Sequence, residues 1–461
     1  MPSQENVIKF INSNNIKWID LQFTDILGKL YRFSVSGVGI TDQSFSKGVE
    51  GPSLGEVFGY DEKEIVLVPD SKTFARIPWE TNSARMISDV SVALSMEKYL
   101  KDPRYVAEHM NINLKAAGIT AARISTEIEF YMFDGVTIDK GVLPQSSSYS
   151  IDSREGYWNP TPFSGNKKGV YLNQPYDTYS TLRAQIAETM MESFSYPVEY
   201  HCHSKGRAGQ QKIGTGTLSL SDSADAIATL KYIARNASIV ANSLATFMPL
   251  PLSDSNGNGQ IIGQSLWKKD RNIFYDATDK YAQISQNARY YIGGILEHAS
   301  AICAFTNPTS NSYKRLKTEK YYAGWSRHAV ESIVRITNTI QNNDIEKKVQ
   351  FVGGDCAMNP YLAYPVVIAA GLDGIKNKTE CGDPAQKRIS LMTEKEKREN
   401  KIRPLPSTLL ESLEALQSDE KFLKGVVPSE MISEYMELKL EEISKLENTV
   451  SPSEIDMYFN V

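Results

Sequence analysis

Ser125-Thr126-Glu127-Ile128-Glu129-Phe130-Tyr131-Met132-Phe133 reads, with Ile124 before it, as one β-strand. Two carboxylates alternate with apolar residues, so Glu127 and Glu129 share one face while Ile128 points to the other. Two carboxylates on one face either hold a hard cation or repel one another, and the same pattern also marks the solvated face of an edge strand. Upstream, residues 104 to 116 read as a helix ending at Gly118, and residues 16 to 35 as a hairpin. There Ile19, Leu21 and Phe23 alternate with polar neighbours, the chain turns through Gly28, and Tyr31, Phe33 and Val35 resume the alternation. A boundary near residue 105 therefore separates an N-terminal unit, residues 1 to 105, from a second, 106 to 461.

Downstream, strands mix with long helices. One helix carries Leu182, Ile186, Met190 and Phe194 on a stripe; another is expected to start at an Asp222 cap and carries Ile227, Leu230, Ile233 and Ala237. Residues 373 to 404, rich in Lys, Glu, Asn and Gly, read as an exposed loop ahead of two final helices near 407 to 417 and 428 to 446. With 461 residues, 41% hydrophobic and 23% charged, and a mean hydropathy of -0.35, the composition fits a globular protein. Apolar runs are too short or too broken to span a membrane, and the N-terminus lacks a basic region followed by an apolar core, so the expected location is the cytoplasm. The four cysteines form no CxxC pair, and a net charge of -5 argues against nucleic-acid partners.

Other residues can carry chemistry. Asn256-Gly257-Asn258-Gly259 is a flexible turn whose backbone could approach a ligand, or an ordinary surface loop. Arg315 is either an anion clamp or a structural ion pair. His201 and His203 lie on one strand face around Cys202 but lack a third ligand nearby, so they read as structural histidines. No Walker or GxGxxG phosphate loop is present.

Several segments in fixed order resemble class I glutamine synthetase: WIDLQFTDILGK near the start, VEGPSLG at 49–55, VLVPD at 66–70, the carboxylate strand at 125–133, AGQQKI at 208–213, NGNG at 256–259, TNPTSNSYKRL at 306–316, NPYLA at 359–363 and GLDGIKNK at 371–378. The resemblance implies an α+β fold, with a small β-grasp domain followed by a large catalytic α/β domain. It also implies ATP-dependent phosphorylation of the glutamate γ-carboxylate before ammonia displaces phosphate, and subunits assembled as hexamers stacked into dodecamers, an assembly that the last helix is expected to serve through Ile432, Met436, Leu440 and Ile443 at near-helical spacing.

Carried over by position, the resemblance keeps Glu127 and Glu129 as metal positions, with Glu129 also toward substrate. The other metal ligands fall at Ser204, Lys212, Ile261 and Gln350, and the nucleotide-side His at Gly263. Asn256, Gly257 and Arg315 match glutamate-side positions, Arg315 in a catalytic role. Tyr171 and Ser53 match ammonium-side positions, and Glu50 stands where the family has a catalytic Asp. Ser265 and Lys348 match nucleotide positions. The family's substrate-binding Arg falls at Val352 and its flap Glu at Tyr321. Its Arg-x-Arg stretch becomes His328-Ala329-Val330, and the adenylylated Tyr of bacterial members falls near Ser390. Removing one transition-state electrostatic contact typically lowers rate by about 100- to 1000-fold, and here four ligands change together. The expectation is a homologue without normal glutamine synthesis, serving in binding, regulation or assembly. ATP is the implied cofactor, no Mg²⁺ or Mn²⁺ is expected at Glu129, and an active glutamine synthetase paralogue is a candidate partner. The alternative is a divergent ligase joining a carboxylate to another amine. Lys212 is expected to pair with Glu129 in place of a metal.

Overall fold

The computed structural model describes residues 2–51, 53–58, 64–139, 141, 146–159, 169–327, 331–336 and 347–459. The expected hairpin is present: strand Trp18–Thr24 pairs antiparallel with Leu30–Ser36, and Gly28 turns the chain at φ 82°. A Cβ on Gly28 would stand 2.9 Å from the Asn359 side chain, so the turn needs glycine for both its conformation and its fit against the second domain. The Asn359 amide donates to the carbonyls of Asp25 and Ile26, tying the two domains together. Strand Ser83–Val92 runs parallel to Trp18–Thr24 and antiparallel to Ile65–Pro69, and Val7, Ile19, Leu21, Leu67, Met86 and Val90 fill the core of this small sheet.

Helix Pro103–Ala116 opens the second domain. Its sheet is organised on strand Ala121–Phe133, flanked by Gln260–Lys268 on one side and by Gln210–Thr215, then Val198–His203, on the other. Ile124, Ile128, Phe130 and Met132 point into the main core with helices Leu220–Val240 and Pro360–Asn377, leaving Ser125, Glu127 and Glu129 on the opposite face. Among the described residues no helix is long and apolar enough to cross a membrane.

Three expectations need correction. The helix expected to start at Asp222 starts earlier: Ser219 is the cap, its hydroxyl accepting from the Asp222 amide. Residues 373–404 are not one exposed loop. Helix Pro360–Asn377 runs into them, helix Glu394–Glu399 follows, and Ala385, Ile389, Met392 and Ile402 form a small buried cluster under the charged surface. Helix Ser429–Glu447 does carry the apolar stripe expected to serve assembly, but Ile432, Met436 and Ile443 pack on the chain's own core and only Leu440 stands exposed. A further helix, Pro452–Tyr458, follows it.

Candidate functional site

Antiparallel register places Lys212 opposite Glu129 and Gly214 opposite Glu127. Directly opposed residues share a face, so the Lys212 ammonium reaches both carboxylates: Nζ lies 3.1 Å from Glu129 Oε1 and 3.5 Å from Glu127 Oε2. Ser204 Oγ donates to Glu129 Oε1 at 2.6 Å, and the Gly259 amide donates to Glu129 Oε2 at 2.9 Å. Burial alone would push the Glu129 carboxyl up. The Lys212 ammonium, the Ser204 hydroxyl and the Gly259 amide outweigh it and hold the group below the usual carboxylate range. Lys212 responds in the opposite sense: burial would lower it, but Glu129 and Glu127 raise it well above an ordinary lysine.

The neighbouring strand completes this side. Ile261 stands opposite Glu127, and Gly263 opposite both Ser125 and Gln350. Gln350 Oε1 accepts from Arg335 Nε at 2.7 Å. Lys348 Nζ donates to Ser125 Oγ and Thr217 Oγ1, both at 2.9 Å, and the buried Ser265 hydroxyl accepts from the Trp267 indole at 3.0 Å. Among the described residues no three His, Cys, Asp or Glu side chains are grouped so as to hold a metal ion.

Arg315 occupies the other side. Helix Ser310–Glu319 is fixed by a reciprocal Thr309–Ser312 capping box. Arg315 pairs with Glu319 one turn on, at 2.9 Å, donates to the Gly353 carbonyl at 3.2 Å, and lies 5.4 Å from the Tyr321 ring centroid. Its Nε has no hydrogen-bond partner among the described residues. Asn256-Gly257-Asn258-Gly259 is no loose surface loop: Asn258 is fully buried and donates to the Met248 carbonyl. A Cβ on Gly259 would stand 2.9 Å from Arg315 Nη2 and 3.3 Å from Glu129 Oε2, so this backbone wedges between the two charged sides. Burial pushes both Glu319 and Asp355 up, and Arg315 only partly offsets it.

Glu127, Glu129, Ser204, Lys212, Gly257 and Arg315 thus converge around one sheet face. The Asn256 carbonyl accepts from the Tyr131 hydroxyl at 2.7 Å while its side chain is exposed. Tyr171 is 76% exposed, its amide donating to the His203 carbonyl. Glu50 is exposed on the N-terminal domain. Of the two histidines, His203 is buried and pairs with Glu155 at 2.9 Å, while His201 is exposed and accepts from Arg183 at 3.1 Å. His328, Ala329 and Val330 lie outside the described residues. The sequence reading passed over Glu319 and Asp355. The four-residue spacing from Arg315 could have found the first; nothing local marks the second.

The glutamine synthetase beta-grasp domain model matches residues 15–92, and the glutamine synthetase catalytic domain model matches residues 100–458. The chain belongs to the glutamine synthetase family. Curated relatives include the glutamine synthetase of Sulfolobus acidocaldarius, 36% identical over all of this chain and 99% of that protein. Another is the 3-hydroxylaminophenol mutase of Cupriavidus pinatubonensis, 33% identical over 100% and 99%, and a third the glutamine synthetase of Salmonella typhimurium, 34% identical over the full length of both. The cryo-EM structure of Plasmodium falciparum glutamine synthetase superposes with a TM-score of 0.87 at 24% identity, covering 99% of each chain; ligand-free GmaS gives 0.82 at 21%, covering 98% and 99%. Both establish the shared α+β fold. Glutamine synthetases use ATP and divalent metals and are typically homo-oligomers.

Proposed function

We propose that this member of the glutamine synthetase family does not carry out ordinary metal-dependent glutamine synthesis and acts instead as a binding, regulatory or assembly protein. The observation that carries the reading is the Lys212 ammonium within 3.5 Å of both Glu127 and Glu129. Phosphoryl transfer from ATP needs divalent cations to bridge phosphate oxygens and offset developing charge. The positions that the resemblance assigns to metal present two carboxylates, one hydroxyl, one ammonium, one alkyl group and one amide. That donor set does not fit a two-metal centre. A dication about 4 Å from Lys212 would be repelled by several kcal/mol at an effective dielectric near 20, and the Ser204 hydroxyl already donates its proton to Glu129.

The nucleotide side is expected to take ATP through Lys348, though Ser265 already accepts from Trp267. The domain boundary is placed near residue 105 and the protein in the cytoplasm. Rings are expected, hexameric or dodecameric, with an active paralogue as a further partner. Support for assembly comes from the terminal helix, where Ile455, Met457, Tyr458 and Phe459 are all more than half exposed. Kept beside this is a carboxylate–amine ligase using another amine, for which the retained Glu127, Glu129 and Arg315 speak.

ATP titration by calorimetry with and without Mn²⁺, paired with a glutamine-forming assay, tests the reading. Metal-independent ATP binding without glutamine formation is expected. Mn²⁺-dependent glutamine formation from ammonia would overturn it, and Mn²⁺-dependent ATP cleavage that requires a different amine would replace it with the ligase.

A further inference from the structure

A cavity of about 500 Å³ lies where the hairpin turn of the first domain meets the second, behind the carboxylate strand. Lys29 from the turn lines it, with Lys231 and Arg235 from helix Leu220–Val240, the Phe247 ring, Asn311 and Cys356. Lys231 and Arg235 are four residues apart on one helix, so two like charges share a face and repel. The Phe247 ring centroid lies 5.9 Å from Lys231 Nζ and 5.5 Å from the Arg235 guanidinium carbon, an arrangement that favours cations at the ring face. Lys231 donates to the Met358 carbonyl at 3.3 Å. Among the described residues, no carboxylate forms an ion pair with Lys231 or Arg235, unlike the cations of the Glu129 site; the carboxylate that acts on Lys231 is Asp355, which already accepts from Asn307 and the Ala357 amide. Three cations at one cleft, with no carboxylate paired to Lys231 or Arg235, repel one another, and an anion seated among them relieves that repulsion.

We propose that this cleft binds a small anion bearing at least two negative charges, carboxylate or phosphate, seated among Lys29, Lys231 and Arg235. Burial pushes the Lys231 ammonium down to about 8, with Arg235 adding to the fall and Cys356 and Asp355 opposing it. The Asp25 carboxyl beside Lys29 is the other acid at this margin, its oxygens already engaged by the Lys29 amide and the Tyr31 hydroxyl. A bound anion therefore favours protonated Lys231, and affinity falls as pH rises through 8. The position also suits regulation. Met358, held by Lys231, precedes Asn359, the residue that ties the hairpin to the second domain. The Cys356 thiol donates to the Glu129 carbonyl at 2.8 Å, so the wall of the cleft is also the back of the Glu129 site.

Calorimetric titration of the full chain, without ATP or metal, with pyrophosphate, inorganic phosphate and succinate in separate runs, tests the assignment. At least one is expected to bind at pH 7, with affinity reduced tenfold or more in Arg235→Gln and severalfold in Lys29→Gln, both at solvent-exposed positions, and reduced in the wild type at pH 9. Tighter binding of the phosphates or of succinate identifies the acid group. Lys348→Gln weakens any phosphate binding on the nucleotide side and is expected to leave the Arg235-dependent binding in place. Overturning results are absence of binding by all three probes, or binding kept in Arg235→Gln and lost in Lys348→Gln. Circular dichroism melting of each variant confirms that the comparison is between folded proteins.

Discussion

Lys212 reaches Glu129 across two adjacent strands, whereas Arg315 reaches Glu319 along one turn of a single helix. Both pairs neutralise charge around the same glycine, Gly259, whose amide serves Glu129 and whose α-carbon leaves room for the guanidinium. They differ in solvent. The Lys212 side chain keeps 17% of its exposure and the Arg315 side chain 1%. They differ also in surplus: at the Lys212 site Glu129 keeps the Ser204 hydroxyl and the Gly259 amide, while Arg315 is the largest influence offsetting burial of both Glu319 and Asp355. The same compensation of charge is more critical where water is excluded, because the partners left to Glu319 and Asp355 only partly replace the guanidinium.

The largest effect is therefore expected at Arg315. Arg315→Met takes from Glu319 and Asp355, both already raised by burial, their main cation, and should cost about 3–5 kcal/mol at pH 7 in urea unfolding. A folded-state pKa above the unfolded one makes ionisation destabilising, so this loss should shrink as pH falls toward 5 and the two carboxyls take up protons. A loss under about 1 kcal/mol would mean that the helix pair is an ordinary surface contact.

Lys212→Met should follow, at about 2–3 kcal/mol near pH 8. In the wild type, Glu129 sits below its ordinary value and Lys212 above its own, so their contributions are fully present from about pH 5 to pH 10. The variant lacks the ammonium, and burial then raises Glu129. Its penalty is full at pH 8 and relieved toward pH 5 by protonation, so melting temperatures of the two proteins should converge as pH is lowered. Equal differences at both pH values would show that the cross-strand pair contributes nothing.

These two pairs also explain what could be read before the fold was known. The carboxylate strand was legible because a period of two is a local property, and the placement of Ile128 and Glu129 on opposite faces follows from it. The Arg315–Glu319 pair was within reach by helical spacing. The Lys212 pairing became legible only with a resemblance that fixes which strand lies beside residues 121–133, since 83 positions of chain separate the partners. Asp355, buried beside Arg315, carries no periodic or spacing signal, and Ser219 was overlooked as a cap because Asp222, three residues on, offers the same chemistry. The terminal stripe misled for a physical reason: helical periodicity reports that a face is covered, not whether the cover is the same chain or another.

The smallest effect, at Ser204, sharpens the contrast between losing a charge and losing a neutral donor. Its hydroxyl donates to the same Glu129 oxygen that Lys212 approaches, at 2.6 Å against 3.1 Å. A hydrogen bond to a charged group contributes about 1.5–3 kcal/mol, but in Ser204→Ala the ammonium and the Gly259 amide still serve the carboxylate, which places the expected loss near the lower limit. The sign with pH separates it from Lys212→Met. Glu129 is held below its ordinary value in the fold, so its contribution is present above about pH 4.3 and disappears as pH falls through the lowered value. Removing Ser204 lets that value rise part of the way back, with the ammonium keeping it below neutrality. The difference between wild type and variant should then be flat from pH 8 to pH 6 and narrow only near pH 4, where Lys212→Met would already have recovered. Urea unfolding across pH 4–8 checks this, and a Ser204→Ala loss that shrank between pH 8 and pH 6 would show that the hydroxyl, and not the ammonium, keeps Glu129 ionised.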